Sequence, residues 1–289
     1  IRRKYHEQFI QQRYVDLFAQ VSTYWEKDDH DYRYNDSDPH SPVHGGHETD
    51  EDRSDPKLAV QPSHELGIRM FHEQLPVVDP RAKNPVTYRT HRVSRDLQVW
   101  FVEGRDYRSP NLMEDGPGKT LWGAQQIAWL KRTLLESKAA FKVIISPTPL
   151  VGPDGRGKRD SHVNLNGFRH EAGEFFGWLT ENGFLKKHVY FICGDRHWQY
   201  HAVHPSGFEE FSSGALCDAN SVSAKLPGDP KTTDPEGKIE HRYSQIEPSG
   251  GFLRVALTPG DIESPARLDF SFYDERGKLL YRTRKEMKR

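Results

Sequence analysis

The residues with the most chemical content are Gly194-Asp195-Arg196-His197, which follow the apolar run His188-Val189-Tyr190-Phe191-Ile192-Cys193. A short β-branched and aromatic run with turn chemistry after it predicts a buried strand. In open α/β sheets ligands gather at the carboxyl ends of strands, so a carboxylate, a guanidinium and an imidazole at such a tip are candidates for a site. Gly194 permits a tight turn there. Asp195 and His197, two apart, can set an oxygen and a nitrogen donor around one cation, and His201 and His204 follow closely. The alternative is a polar loop whose Asp and His bond only the backbone; a four-residue pattern does not choose between the two.

A second cluster, Glu26-Lys27-Asp28-Asp29-His30-Asp31 with Asn35, Asp36 and Asp38, follows the run Val21-Ser22-Thr23-Tyr24-Trp25. Carboxylates packed this densely repel one another unless water or a cation neutralises them. A mix of carboxylate, amide and imidazole suits a hard, oxygen-rich metal site, and a solvated acidic loop is the competing reading. A third charged tip, Glu103-Gly104-Arg105-Asp106-Tyr107-Arg108, ends another apolar run. Arg105 or Arg108 there can grip an anionic oxygen through a planar fork, or pair with the nearby acids. His44 and His47 read as exposed loop histidines.

The elements that must position these residues follow from periodicity. Residues 2–20 carry an apolar stripe of Tyr5, Phe9, Tyr14, Leu17 and Phe18 and predict one helix. Residues 21–25 predict a short strand. Residues 36–66 read as a long lid-like loop, and Glu65 to Gln74 as a short helix. A hairpin-like pair covers 86–93 and 97–102. Helices are expected over 120–137, with Thr120 as N-cap, and over 167–182, with strands at 141–146 and 188–193. Short antiparallel strands around 208–212, 251–257, 267–273 and 278–282 follow, with a turn at Asp274-Glu275-Arg276-Gly277-Lys278 and a long loop over 218–248. Strand and helix alternate in the first two thirds, so the fold class is α/β, with mostly antiparallel strands in the last third.

Composition bounds the function. The 289 residues hold 41 basic and 42 acidic side chains, so no basic excess argues for a nucleic-acid groove. No run reaches the length of a transmembrane helix. The mean hydropathy is −0.84, and a core must therefore be built from large rings. Cys193 and Cys217 suggest neither a disulfide framework nor a zinc knuckle. The chain opens at Ile1 without a signal-peptide pattern, and oligomeric state is not readable.

Four segments together resemble a known family. Trp25-Glu26-Lys27-Asp28-Asp29-His30-Asp31 with Asn35 is similar to a Trp-Asp-Asp-His-Glu…Asn motif. Glu103-Gly104-Arg105-Asp106-Tyr107-Arg108 is similar to Asp-x-Arg-x-Tyr-Arg. Trp122-Gly123-Ala124-Gln125-Gln126-Ile127-Ala128-Trp129-Leu130 is similar to Leu-Gly-x-x-Gln-x-x-Trp-Leu, and Gly194-Asp195-Arg196-His197 to Gly-Asp-Val-His. In this order, over roughly residues 5 to 282, they resemble the catalytic domain of the PhoD-like metallophosphatases, in the calcineurin-like phosphoesterase superfamily.

The resemblance implies a single catalytic domain, a four-layer α/β/β/α sandwich with a metal cluster at the strand ends. It places Asp29, Asn35, Asp195 and His197 at ligand positions and His30 at the catalytic histidine. Arg105 would hold substrate oxygens. Asp28, Glu103, His162, Asn164 and His201 are possible additional site residues. It implies two or more ions, calcium, iron, manganese or magnesium, and hydrolysis of a small-molecule or lipid phosphate ester by an exported protein. Glu103 stands where Asp is usual, and the Ser146-Pro147-Thr148-Pro149 strand end lacks a histidine. The family's upstream Gly-Asp strand, which supplies a bridging ligand, is expected ahead of Ile1. The competing expectation is a metal-binding module or fragment without catalysis; a third keeps the enzyme but changes the ester to a phosphodiester, phospholipid or sulfate.

Overall fold

Large rings are needed to give so polar a chain a core, and the computed structural model shows where they gather. It describes residues 2–41, 62–79, 81–83 and 85–287. His44, His47 and most of the expected 36–66 lid lie outside the described residues. The chain divides into two compact units, Ile1–Thr87 with Glu103–Pro110, and Tyr88–Val102 with Asn111–Arg289.

In the first unit the aromatic stripe is split over two helices, α1 (Arg2–Phe9) and α2 (Gln12–Gln20), rather than one helix over 2–20. The break at Ile10-Gln11 has a packing reason. Nine residues along one helix would set Phe9 and Phe18 about 13 Å apart. Folded back, their ring centroids are 5.8 Å apart, and both rings meet Trp25, at 5.3 and 5.1 Å. Residues 21–25, expected as a strand, carry no ladder pairing among the described residues. A one-turn helix α3 (Asp29–Tyr32) and α4 (His64–Gln74) follow. Ser63 caps α4 by accepting the Leu66 N–H at 3.2 Å, and Met70 and Phe71 turn inward. Gly67 sits where α4 meets α3: a Cβ there would lie 2.7 Å from the Tyr32 carbonyl oxygen, so only glycine allows the approach.

The second unit holds both sheets. The larger orders its seven strands β1-β2-β3-β4-β6-β5-β7: β1 (Arg89–Arg92), β2 (Leu97–Phe101), β3 (Phe141–Ser146), β4 (Val189–Cys193), β5 (Gln199–Val203), β6 (Glu209–Ser213) and β7 (Glu240–Ser244). Neighbours among β2, β3, β4 and β6 are parallel; β1, β5 and β7 run antiparallel to theirs. The smaller sheet, β8 (Gly251–Thr258), β9 (Arg267–Asp274) and β10 (Leu279–Glu286), is antiparallel. The mixed α/β class and the antiparallel final third are those expected.

Alternation along the strands divides the core in two. Trp100, Ile144 and Phe191 face α5 (Ala124–Glu136) and α6 (Arg169–Glu181), packing on Leu130, Leu134, Phe175 and Leu179. Val143, Tyr190 and Phe211 face the smaller sheet through Leu268, Phe270 and Phe272, and the Phe211 and Phe270 rings stack at 3.9 Å. The larger sheet thus contributes to two separate buried clusters. No helix among the described residues is long and apolar enough to cross a membrane.

Three local expectations need correction. Helix α5 starts at Ala124 with Gly123 (φ 76°) as its cap; Thr120, expected there, instead accepts the Gly123 N–H at 2.7 Å. β5 falls where no strand was expected, because Gln199, Tyr200 and His201 hide a strand whose five residues are all buried. β7 lies inside the segment read as the loop 218–248.

Candidate active site

In the first unit the acidic run becomes a tight turn. The Asp28 N–H donates to the Asp31 carboxylate at 2.8 Å, which starts α3 in the manner of a capping box. Asp29 is buried, and its two carboxylate oxygens accept the backbone N–H groups of His30 (2.6 Å) and Asp36 (2.7 Å). Asp36 takes a left-handed conformation, φ 54°. The Asn35-Asp36 turn is thereby tied to Asp29, while the His30 and Asn35 side chains are exposed. Arg33 fixes the loop beyond: its guanidinium donates to the carbonyls of Asp38, Ser41 and Pro62, so one side chain holds the chain on both sides of residues 42–61.

Arg105, expected either to hold substrate oxygens or to pair with nearby acids, is fully buried. Its Nε donates to Asp28 at 2.6 Å, its Nη1 donates to the Ser37 carbonyl at 3.0 Å, and Nη2 lies 3.8 Å from Asp29. A guanidinium so committed anchors the acidic turn. Glu103 is equally structural: it accepts the Arg105 N–H (2.7 Å) and the Thr87 hydroxyl (3.0 Å). It also lies 3.2 Å from the ammonium of Lys27, which pairs with Asp106 as well. Lys27 is 1 % exposed and sits over the Tyr32 and Phe71 rings. Burial lowers its pKa, and the Glu103 and Asp106 carboxylates more than offset that, so it stays charged.

In the second unit Asp195 follows β4 at φ 62°, a left-handed position that Asp and Asn tolerate better than most residues. The turn is closed by the Arg196 N–H donating to the Gly194 carbonyl at 2.7 Å. The Arg196 guanidinium bridges two carboxylates, Asp195 at 2.6 Å and Asp154 at 3.0 Å. Burial opposes its charge, but those two carboxylates outweigh it and hold the pKa above the usual arginine value. Asn164 donates to Asp154 at 2.8 Å and accepts from Ser161, so it braces the 154–164 loop. His197 is exposed.

Two further expected site residues serve packing. His162 is buried against Trp122, ring centroids 4.6 Å apart, with Nε2 2.8 Å from Glu171. Glu171 also accepts the Leu121 and Trp122 N–H groups at the entry to α5. His201 stacks on Phe211, and its ring nitrogens meet Glu209 (2.6 Å) and the Tyr281 hydroxyl (3.0 Å). Asn164, His162 and His201 are thus all buried and hydrogen-bonded.

Sequence reading missed Lys27, Asp154 and Glu210. Asp154 had a turn signature, Gly152-Pro153-Asp154-Gly155, as its one visible sign. Glu210, fully buried on β6, accepts the N–H groups of Leu150 (2.6 Å), Val151 (3.1 Å) and Gly152 (2.8 Å) and the Tyr200 hydroxyl (2.8 Å). It pins the loop that leads to Asp154. Glu210→Gln sets an NH2 group against those donors and is expected to lower the unfolding free energy by about 2 kcal/mol. An unchanged urea midpoint would show that the loop is held by other contacts.

The chain is similar in fold to a solved "Structure of PhoD", with a TM-score of 0.53 and 17% identity over 75% of this chain and 49% of that one. It spans about half the length of that structure. Comparison with curated proteins finds no match. The chain matches the PhoD-like phosphatase family over residues 1–263 and belongs to that family.

Proposed function

We propose that this protein hydrolyses phosphate esters with the help of bound metal ions. The observation that carries the reading is the acidic turn of the first unit. Adjacent carboxylates of Asp28 and Asp29, with the Asn35-Asp36 turn tied to them, are held on a buried guanidinium. Such a set of hard oxygen donors fits calcium, magnesium, manganese or iron. The proposed ligands are Asp29 and Asn35 in the first unit and Asp195 and His197 in the second, with Asp28 as a further donor. When bound, such cations supply Lewis acidity, neutralising phosphoryl charge and acidifying water.

This chain's own residues then do three things. His30, exposed beside Asp29, hands a proton to the leaving oxygen or orients the phosphoryl group. Arg105 positions Asp28 and the turn behind it, a supporting role rather than contact with substrate. Arg196 fixes Asp195 at the strand tip and offsets its charge. The substrate class proposed is a small-molecule or lipid phosphate ester, mono- or diester, and the family resemblance supports an exported protein using iron with calcium.

The test pairs metal content, measured by mass spectrometry on the purified chain, with hydrolysis of an aryl phosphate monoester and a diester, with and without chelator. Stoichiometric metal and turnover that chelator abolishes and metal restores are expected. A metal-free chain would overturn the ligand set. Metal without turnover would favour a second reading, a recognition module without catalysis. The observation behind that reading is that guanidinium groups already pair with Asp28 and Asp195, at 2.6 Å in each case.

A further inference from the structure

The far end of the large sheet in the second unit, away from Asp195, carries a concentration of positive charge that the phosphatase reading does not use. Where the parallel strands β3 and β4 begin, an open cavity of about 450 Å³ is lined by Arg95, Lys138, Lys142, Lys186 and Lys187, with Asp96 the one carboxylate. Asp96 is already engaged: it accepts the Gly260 N–H at 3.1 Å and lies 3.3 Å from Arg95. Among the described residues none of the four lysines forms an ion pair.

Lys142 is the telling residue. It stands second in the apolar run Phe141-Lys142-Val143-Ile144-Ile145 of a central strand, 4 % exposed, where a branched apolar side chain would suit both strand and burial. Its Nζ donates to the Ala139 carbonyl at 2.7 Å, one bond for a group with three donors. Burial lowers its pKa to about 8, and Lys187, Arg92 and Lys138 push in the same direction. A sequence that breaks local preference and gathers unbalanced charge in one hollow marks a functional position.

We propose that this cavity binds the phosphate groups of a small polyanion, with Lys142 at its floor and Lys138, Lys186 and Lys187 at its rim. The ligand chemistry is a multiply charged phosphate of di- or triphosphate size, free or as a lipid headgroup. β4 spans its five residues, about 16 Å, between this end and the Asp195 tip, so the site is separate from that tip and does not rest on the phosphatase reading.

The probe is inorganic tripolyphosphate, titrated calorimetrically into the full chain after chelator treatment, at physiological salt. One saturable site is expected. The rim variant Lys138→Gln/Lys187→Gln is expected to weaken it by about tenfold or more, since two nearby cations are lost. Lys231→Gln, at an exposed position elsewhere in the same unit, should leave it unchanged. Lys142→Met should weaken binding further, with circular dichroism checking its fold; the rim variant keeps the test decisive if that one does not fold. Sedimentation with phosphatidic acid vesicles, lost in the rim variant, would support the site and assign a headgroup as its source. Absence of binding to both probes, or equal affinity in wild type and rim variant, would overturn the proposal.

Discussion

Asp195→Asn is expected to lower phosphate ester turnover by about a hundredfold or more while leaving the protein folded. Asparagine accepts the left-handed backbone at φ 62° nearly as well as aspartate, so the turn after β4 survives. An amide oxygen remains to accept from Arg196, and Asp154 keeps its own bond to the same guanidinium at 3.0 Å. What is lost is a negative charge. If Asp195 is a metal ligand, the charge loss loosens the cation, and metal content per chain should fall together with kcat. Asp154→Asn is the matched control: it removes a carboxylate from the same guanidinium bridge without removing a proposed ligand, and should affect stability more than metal content. Turnover and metal content both at wild-type level in Asp195→Asn would remove Asp195 from the ligand set.

The second large effect is on stability. Lys27→Met should cost about 3–5 kcal/mol of unfolding free energy, the range for breaking a buried ion cluster by deleting one member. The ammonium is 3.2 Å from Glu103, paired with Asp106, and roofed by the Tyr32 and Phe71 rings. Methionine fills much the same volume but leaves the buried Glu103 and the largely buried Asp106 carboxylates without their ammonium partner. The same reasoning predicts rescue. Adding Glu103→Gln and Asp106→Asn removes the stranded charges, and the triple variant should recover much of the loss, a coupling that a purely steric effect would not show. Urea unfolding checks it, with Trp25, the one tryptophan of the first unit, as the local probe. A loss below about 1 kcal/mol would mean that Lys27 contributes packing alone.

These two residues also mark where reading the sequence succeeds and where it stops. The Gly194-Asp195-Arg196-His197 tip was legible because β4 announces itself: five apolar and aromatic residues, then turn chemistry. The same holds for β3, for the hairpin turn after Asp274 and for α5 and α6, whose periodic apolar faces depend on near neighbours in the chain. The four motifs carried the family, since each is local. Lys27 was not legible. In Glu26-Lys27-Asp28 it looks like any solvated lysine, and its partner Asp106 stands 79 residues on.

Arg105 shows the same limit. The sequence offered both an anion clamp and an ion pair, and the choice was made by Asp28, 77 residues back, and by the Ser37 carbonyl. β5 was hidden because its polar residues are satisfied by partners on other strands: His201 by Glu209 and Tyr281, Tyr200 by Glu210. The sequence by itself determined the α/β class, the main strands and helices and the family, all of which rest on short-range pattern. Tertiary structure alone decided which charged residues are buried in pairs and which stay exposed. Burial and pairing set that distinction, and both depend on residues far apart in the chain.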